Sequence, residues 1–251
     1  MSEHVKISRK GPVMRITMAR PEKKNALTGA MYNFMTGAIL SAEIDDDIRA
    51  IIFMGADGVF TAGNDIGDFL RAGEQGDMSA SPALLFIKTI AASTTPLIAA
   101  VDGLAIGIGT TMLLHCDLVY ASPRAKFRMP FVDLALVPEA ASSLLLPQRV
   151  GIAKATELLM LGEGFDAADA LRLGLVNAIV EPDALNAHAL AQAEKLAAKP
   201  AAALAATRRL LRGDPGLLAD RIDLEIQALS IAMQSAEARQ IFQSFLNKSR
   251  G

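Results

Sequence analysis

A chain of 251 residues, 51% apolar and 21% charged, has the balance of a folded protein and is long enough to bury a sizeable core. Its net charge of −2 gives no general electrostatic reason to bind nucleic acid or an anionic membrane. A single cysteine, Cys116, excludes an intrachain disulfide and a cysteine-built zinc site, and His4, His115 and His188 lack ligand spacing, so no metal is expected.

Residues 1–10 are polar and lack the apolar core of a signal peptide. No apolar run approaches the roughly 18 residues of a membrane span, and the expectation is a cytoplasmic protein. Strands are predicted at 13–18, 50–54 and 97–101, and helices at about 29–42 and 82–93. Strands and helices thus interleave to about residue 121, which predicts an α/β fold with crossover connections and a largely parallel sheet. The Gly-, Ser- and acid-containing stretch 73–81 is the candidate for a mobile loop.

Beyond residue 151 the pattern becomes helical, with helices predicted at 153–161, 167–173, 184–198, 201–211 and 217–245. They are separated by Gly162-Glu163-Gly164, Pro182, Pro200 and Gly213-Asp214-Pro215-Gly216. Helices with so many apolar faces can cap their own core or pack against further copies, and self-association is the expectation.

Two stretches carry the chemical signal. Phe60-Thr61-Ala62-Gly63-Asn64-Asp65-Ile66 and Ala105-Ile106-Gly107-Ile108-Gly109 each follow a buried-strand pattern and lead into a helical one. A backbone N–H at such a turn has no intrahelical acceptor and lies at the positive end of the helix dipole. Glycine there lets a ligand approach the backbone. Two such turns side by side could hold one developing negative charge, although each alone is more often a plain connection.

No GxSxG elbow, P-loop or HExxH occurs, and Gly107-Ile108-Gly109 lacks the third glycine of a dinucleotide fingerprint. Ser142 and Ser143 have no suitably placed histidine. The titratable residue that stands out is Glu139, which follows Pro138 inside an apolar stretch, 134–146. It reads equally as an acid in the first turn of a helix or as a general base whose pKa is raised by apolar surroundings.

Motifs along nearly the whole chain resemble the enoyl-CoA hydratase/isomerase, or crotonase, family. They are Arg20-Pro21 with Asn25-Ala26-Leu27, Phe60-Thr61-Ala62-Gly63-Asn64-Asp65, Ala100-Val101-Asp102-Gly103, Cys116-Asp117, Gly162 and Gly174-Leu175-Val176-Asn177. The resemblance implies a crotonase-like spiral of ββα units over residues 1–195 and a C-terminal helical trimerisation region over 196–251. It implies homotrimers or dimers of trimers, an acyl-CoA thioester substrate, and no cofactor beyond the CoA of that substrate.

By the same resemblance the backbone N–H groups of Asn64 and Ile108 grip the thioester oxygen. Asn25, Ala26 and Leu27, with Ala62, Gly63, Asp65, Ile66 and Gly107, line the CoA groove, and Lys24 lies near the phosphates. The positions of the two hydratase glutamates hold Thr111 and Phe131, neither of which can do that acid/base work. Pro130-Phe131, Leu134, Pro138-Glu139, Ser142-Ser143, Pro147 and Gly63-Asn64-Asp65 are instead similar to the Δ3,Δ2-enoyl-CoA isomerase branch. There one glutamate, at the place of Glu139, shuttles the proton, with Phe131, Leu134 and Leu136 as an apolar acyl pocket and Thr111 beside it. The alternatives are a hydratase working with Glu139 alone and a non-catalytic acyl-CoA-binding protein. Asp65 and Asp117 are expected to cap or brace the structure.

Overall fold

The computed structural model describes residues 3–74 and 78–248. The chain runs β1 Val5–Lys10, β2 Val13–Met18, α1 Gly29–Glu43, β3 Ala50–Gly55, α2 Ile66–Glu74, α3 Pro82–Ala92 and β4 Leu97–Val101. It continues through β5 Leu104–Ile106, α4 Ile108–Thr111, β6 Leu118–Ala121, β7 Lys126–Arg128, α5 Ser142–Val150, α6 Ile152–Met160, β8 Phe165–Asp166, α7 Ala167–Arg172 and β9 Ala178–Ile179. It ends with α8 Pro182–Ala197, α9 Ala201–Arg212, α10 Pro215–Met233 and α11 Ala236–Lys248.

The larger sheet has the order β1-β2-β3-β4-β6-β9, parallel throughout except for the β1–β2 hairpin. Successive side chains on a strand point to opposite faces. Ile51 and Phe53 of β3 therefore join Leu97, Ala99 and Val101 of β4 in the main core, while Ile52, Met54, Ile98 and Ala100 face the other way. That second face is covered by α8, whose Leu185, Ala189 and Ala193 recur every four residues along one side.

Against the main face lie α1 and α3. Thr28 Oγ1 accepts the Met31 N–H at 3.3 Å and Ser81 Oγ accepts the Leu84 N–H at 3.2 Å, N-caps that each contribute about 1 kcal/mol. The Tyr32 and Phe86 rings meet at 5.4 Å, and Phe86 meets Phe53 edge-on at 6.2 Å.

A second sheet, β5-β7-β8, lies beyond the ends of the first. The two are joined by loops that pair as single parallel bridges, Leu27 with Asn64 and Thr61 with Ala105. Each turn of the chain thus stacks on the preceding one as a spiral, which brings residues 25–27, 61–64 and 104–108 side by side.

The N-terminal stretch forms β1, an edge strand in which only Val5 is buried and which sequence reasoning did not anticipate. Two expectations need correction. The single helix expected over 217–245 is two: Gln234 and Ser235 interrupt it, and Ser235 Oγ accepts the Ala238 N–H at 3.1 Å as the cap of α11. Of the loop expected at 73–81, residues 73–74 belong to α2, 78–80 form a 3-10 turn and Ser81 caps α3, while 75–77 lie outside the described residues. Helix α8 runs through residue 195 to Ala197. Among the described residues no helix is long and apolar enough to cross a membrane, and no group of three acidic, His or Cys side chains could hold a metal ion.

The C-terminal helices dock on their own chain. Arg208 of α9 donates to both oxygens of Asp117, at 2.8 and 2.9 Å, and to the Ser93 carbonyl, and Asp117 also accepts the Leu97 N–H at 2.8 Å. Arg212 adds a bond to the His115 carbonyl and a 3.3 Å contact to Asp117. Leu210, Leu211, Leu217, Leu224 and Ile231 remain exposed on the outer faces of α9 and α10.

Candidate active site

The stacked loops open into a cavity of about 750 Å³. Its walls include Ala26, Ala62, Gly63, Asn64, Asp65, Ile66, Gly107, Ile108, Phe131, Leu134, Leu136 and Glu139, all anticipated from the sequence. They also include Phe69, Arg128, Asp133, Leu229 and Phe242, which were not. Leu229 and Phe242 come from α10 and α11, so the C-terminal helices close the cavity of their own chain. Nothing local in the sequence marks either residue as a site residue.

One wall is made of backbone. The Leu27–Asn64 bridge is built by the Leu27 N–H donating to the Gly63 carbonyl and the Asp65 N–H donating to the Leu27 carbonyl, both at 2.8 Å. That pattern leaves the Asn64 N–H outside the ladder. Ile108 is the first residue of α4, so its N–H precedes any intrahelical acceptor. Gly63 is required by geometry: φ is +91° and a Cβ would stand 2.8 Å from the Ile106 carbonyl oxygen. Gly109 packs so closely on Thr61 that a Cβ would sit 2.6 Å from its methyl carbon.

Asn25 and Leu27, expected to line the CoA groove, are buried and support this wall instead of lining the cavity. Asn25 is fully buried with φ +55°; its Oδ1 accepts the Arg20 N–H at 2.7 Å and its Nδ2 donates to the Val59 and Ala56 carbonyls at 2.6 and 3.1 Å. Its own carbonyl accepts from Thr61 Oγ1 at 2.7 Å, and Thr61 Oγ1 accepts the Gly63 N–H at 3.1 Å. A chain of hydrogen bonds thus fixes the loop up to the residue before Asn64. The Asn64 side chain accepts from the buried Tyr32 hydroxyl at 2.5 Å, a contact that sequence reasoning missed. Lys24 is exposed outside the cavity, and the neighbouring Lys23 is the lysine on its rim.

The facing wall carries the acid. Glu139 is 6% exposed, and Thr111 Oγ1 donates to its Oε1, so Thr111 sits behind the carboxyl instead of facing the cavity. Burial pushes the Glu139 pKa up to about 8, the Glu225 carboxylate adding to the rise and the Thr111 hydroxyl opposing it. Glu139 is not an acid in a helical first turn, because α5 begins only at Ser142, after Ala140 and Ala141 in the left-handed region at φ +58° and +53°. For alanine each such conformation costs on the order of 1 kcal/mol. The turn is held by His115 Nε2 to the Ala140 carbonyl at 2.8 Å and by Ser142 Oγ, which donates to the Glu139 carbonyl at 2.6 Å. Burial depresses the His115 pKa to about 4, so its ring is neutral near pH 7 and Nε2 is the donor.

Three carboxylates line the cavity among the described residues, and two are neutralised. Asp65 pairs with Arg20 at 2.8 Å and caps α2 by accepting the Asp68 N–H; although burial works against it, Arg20 and these N–H groups hold its pKa below the usual value. Asp133 pairs with Arg128 at 2.8 Å. Glu139 alone has no cation beside it. Phe131 and Leu136, each 6% exposed, and the half-buried Leu134 form an apolar wall near it. Such a site can polarise a carbonyl from one side and move a proton from the other.

The comparisons fit this geometry. The enoyl-CoA hydratase/isomerase family model matches residues 8–250. Enoyl-CoA delta isomerase 2 of Rattus norvegicus is 33% identical over 215 residues, covering 84% of this chain and 55% of that protein. A Rhizobium meliloti protein named "Probable enoyl-CoA hydratase" is 36% identical over 205 residues, 81% of this chain and 79% of its own length. The structure of Pseudomonas aeruginosa OdaA superposes with a TM-score of 0.93 at 40% identity, covering 97% of this chain and 99% of that one.

Proposed function

The chain belongs to the enoyl-CoA hydratase/isomerase family, and we propose that it isomerises 3-enoyl-CoA thioesters to the conjugated 2-enoyl-CoA with Glu139 as the single base. The observation that carries this reading is that, among the described residues, Glu139 is the one cavity carboxylate without an arginine partner, while Thr111 and Phe131 offer no second acid.

The thioester oxygen accepts hydrogen bonds from the Asn64 and Ile108 N–H groups, and these strengthen as negative charge gathers on it. One donor of this kind contributes roughly 2.7–4 kcal/mol to a transition state. Polarisation acidifies C2. Glu139 removes the C2 proton to give a dienolate and, as the carboxylic acid it has become, returns it at C4. The raised pKa matches this work: the carboxylate is a stronger base than an exposed glutamate, and its acid form survives near neutrality to give the proton back. Nothing is added and no electrons leave the substrate, so no cofactor beyond the substrate's own CoA is needed. The apolar wall of Phe131, Leu134 and Leu136 keeps water from the dienolate. The exposed apolar residues of α9 and α10 suit packing against further copies, as a homotrimer or dimer of trimers.

The test is to offer the purified protein a 3-enoyl-CoA and, separately, crotonyl-CoA. Conjugation of the first without hydration of the second is the expected result. Hydration as the dominant activity would make this a one-glutamate hydratase, and binding of both without turnover a non-catalytic acyl-CoA-binding protein.

A further inference from the structure

Behind the turn that carries Glu139 stands a second buried carboxylate, contributed by the C-terminal helix α10. Glu225 is 6% exposed. Its Oε1 accepts the Ser143 N–H at 2.9 Å and the Ser143 hydroxyl, which in turn accepts from Arg221 at 3.2 Å. Its Oε2 is buried and accepts no hydrogen bond of normal geometry, the Ala141 N–H reaching the carboxylate only as a weaker contact. An acid serving only to cap α5 has no reason to bury its second oxygen unpartnered next to another carboxyl.

We propose that Glu225 is a positioning residue for Glu139, clamping the strained Ala140–Ala141 turn from α10 and holding a second negative charge behind the base. The clamp follows from the backbone: two consecutive alanines at positive φ persist only where their surroundings over-determine them, and Glu225 fixes the first turn of the helix that follows. The charge follows from the partners. Burial raises the pKa of both carboxyls, but Glu225 has the Ser143 hydroxyl and N–H, the Ala141 N–H and Arg221 to favour its ionised form, whereas Glu139 has the Thr111 hydroxyl alone, so a negative charge is better supported on Glu225.

Two of the other titratable groups near Glu139 are neutral. Tyr32 on α1 is buried with its pKa well above the usual value, and His115, in the turn after α4, is neutral. The charged groups on the cavity wall are offset: Asp65 and Asp133 are paired with Arg20 and Arg128, and Lys23 stands on the rim. Helix α10 thereby governs the pH at which the base is free, although it supplies no group to the reaction.

This inference rests on Glu139 as the base, but its test does not require turnover. In 13C-labelled full-length protein the Glu139 carboxyl is identified as the NMR signal lost in Glu139→Gln, and its titration is followed in wild type and Glu225→Gln. The glutamine keeps an acceptor for Ser143 and removes the charge. The expected result is a Glu139 titration lower by about one pH unit, with the acid limb of kcat/KM moving by the same amount. Glu225→Ala also removes the clamp, and kcat is expected to fall at least tenfold at every pH with KM nearly unchanged. An unaltered Glu139 titration in Glu225→Gln overturns the proposal. Absence of enoyl-CoA turnover in wild type, with the titration shifted as stated, would overturn the proposed function and leave the coupling standing.

Discussion

The two walls of the cavity are built by different means. The donor wall is backbone: Asn64 and Ile108 are set by glycines, by the Asn25 and Thr61 hydrogen bonds and by the stacking of one loop on the next. Its parts lie on loops that pair directly with one another, so its precision comes from the spiral itself. The base wall is a single side chain on a strained turn with no glycine. It is held by His115 from one side and by Glu225, 86 positions further on, from the other. The donor wall presents a permanent dipole that no ordinary pH alters. The base wall holds a group whose charge is finely poised, and the fold has to bury it, strain it and brace it from the C-terminal helices.

Removing the base separates the walls most sharply. Glu139→Gln is expected to lower the isomerisation rate by roughly 10²–10⁴ while leaving acyl-CoA binding close to wild type, because the donors remain. The same variant carries a stability signature. The folded carboxyl titrates near 8 and the unfolded one near 4.5, so between those values the unfolded chain has lost a proton that the folded chain retains. Wild type should therefore lose stability relative to Glu139→Gln as pH rises from 4.5 to 8, and keep that deficit above it. Parallel melting temperatures across this range would contradict the buried, uncompensated carboxyl.

A defect on the donor side should look different. Gly63→Ala puts a Cβ against the Ile106 carbonyl at a φ unfavourable for alanine and displaces the Asn64 N–H. A loss of roughly 10²–10³ in kcat is expected, with the pH profile unchanged. A shifted profile would mean that the walls are not independent. The smallest catalytic effect is expected at Asp117, which ties α9 to the segment carrying His115. Asp117→Ala leaves the nearly buried Arg208 without its carboxylate. Because Asp117 is partly exposed, the cost should fall at or below the ~3–5 kcal/mol of a fully buried pair. Thermal unfolding reads this directly, and activity at low temperature should drop only a few-fold.

The sequence disclosed the donor wall more fully than the base wall. Glycines at 63, 107 and 109 after apolar runs report backbone geometry directly, because a Cβ at Gly63 or Gly109 would collide with its neighbours. Glu139 stood out as an acid among apolar residues, yet its distinction from a helix N-terminal acid depended on Ala140 and Ala141 adopting positive φ, which alanine does not announce. Leu229, Phe242, Tyr32 and Glu225 reach the site from elements far away in sequence, each on a helix whose periodicity reveals its buried face and not what that face touches. The edge strand β1 escaped because its alternation is short, Val5 and Ile7 alone, and pairing with β2 leaves all but Val5 exposed.

The central claim is that one buried carboxylate carries a proton from C2 to C4 in a site closed to water. Its most direct test is turnover of a 3-enoyl-CoA deuterated at C2, in ordinary water, with the product analysed for label by position. A measurable fraction of the deuterium at C4 of the conjugated product, absent in Glu139→Gln, is the predicted result. Complete loss of the label to water, at a rate that Glu139→Gln does not change, would contradict it.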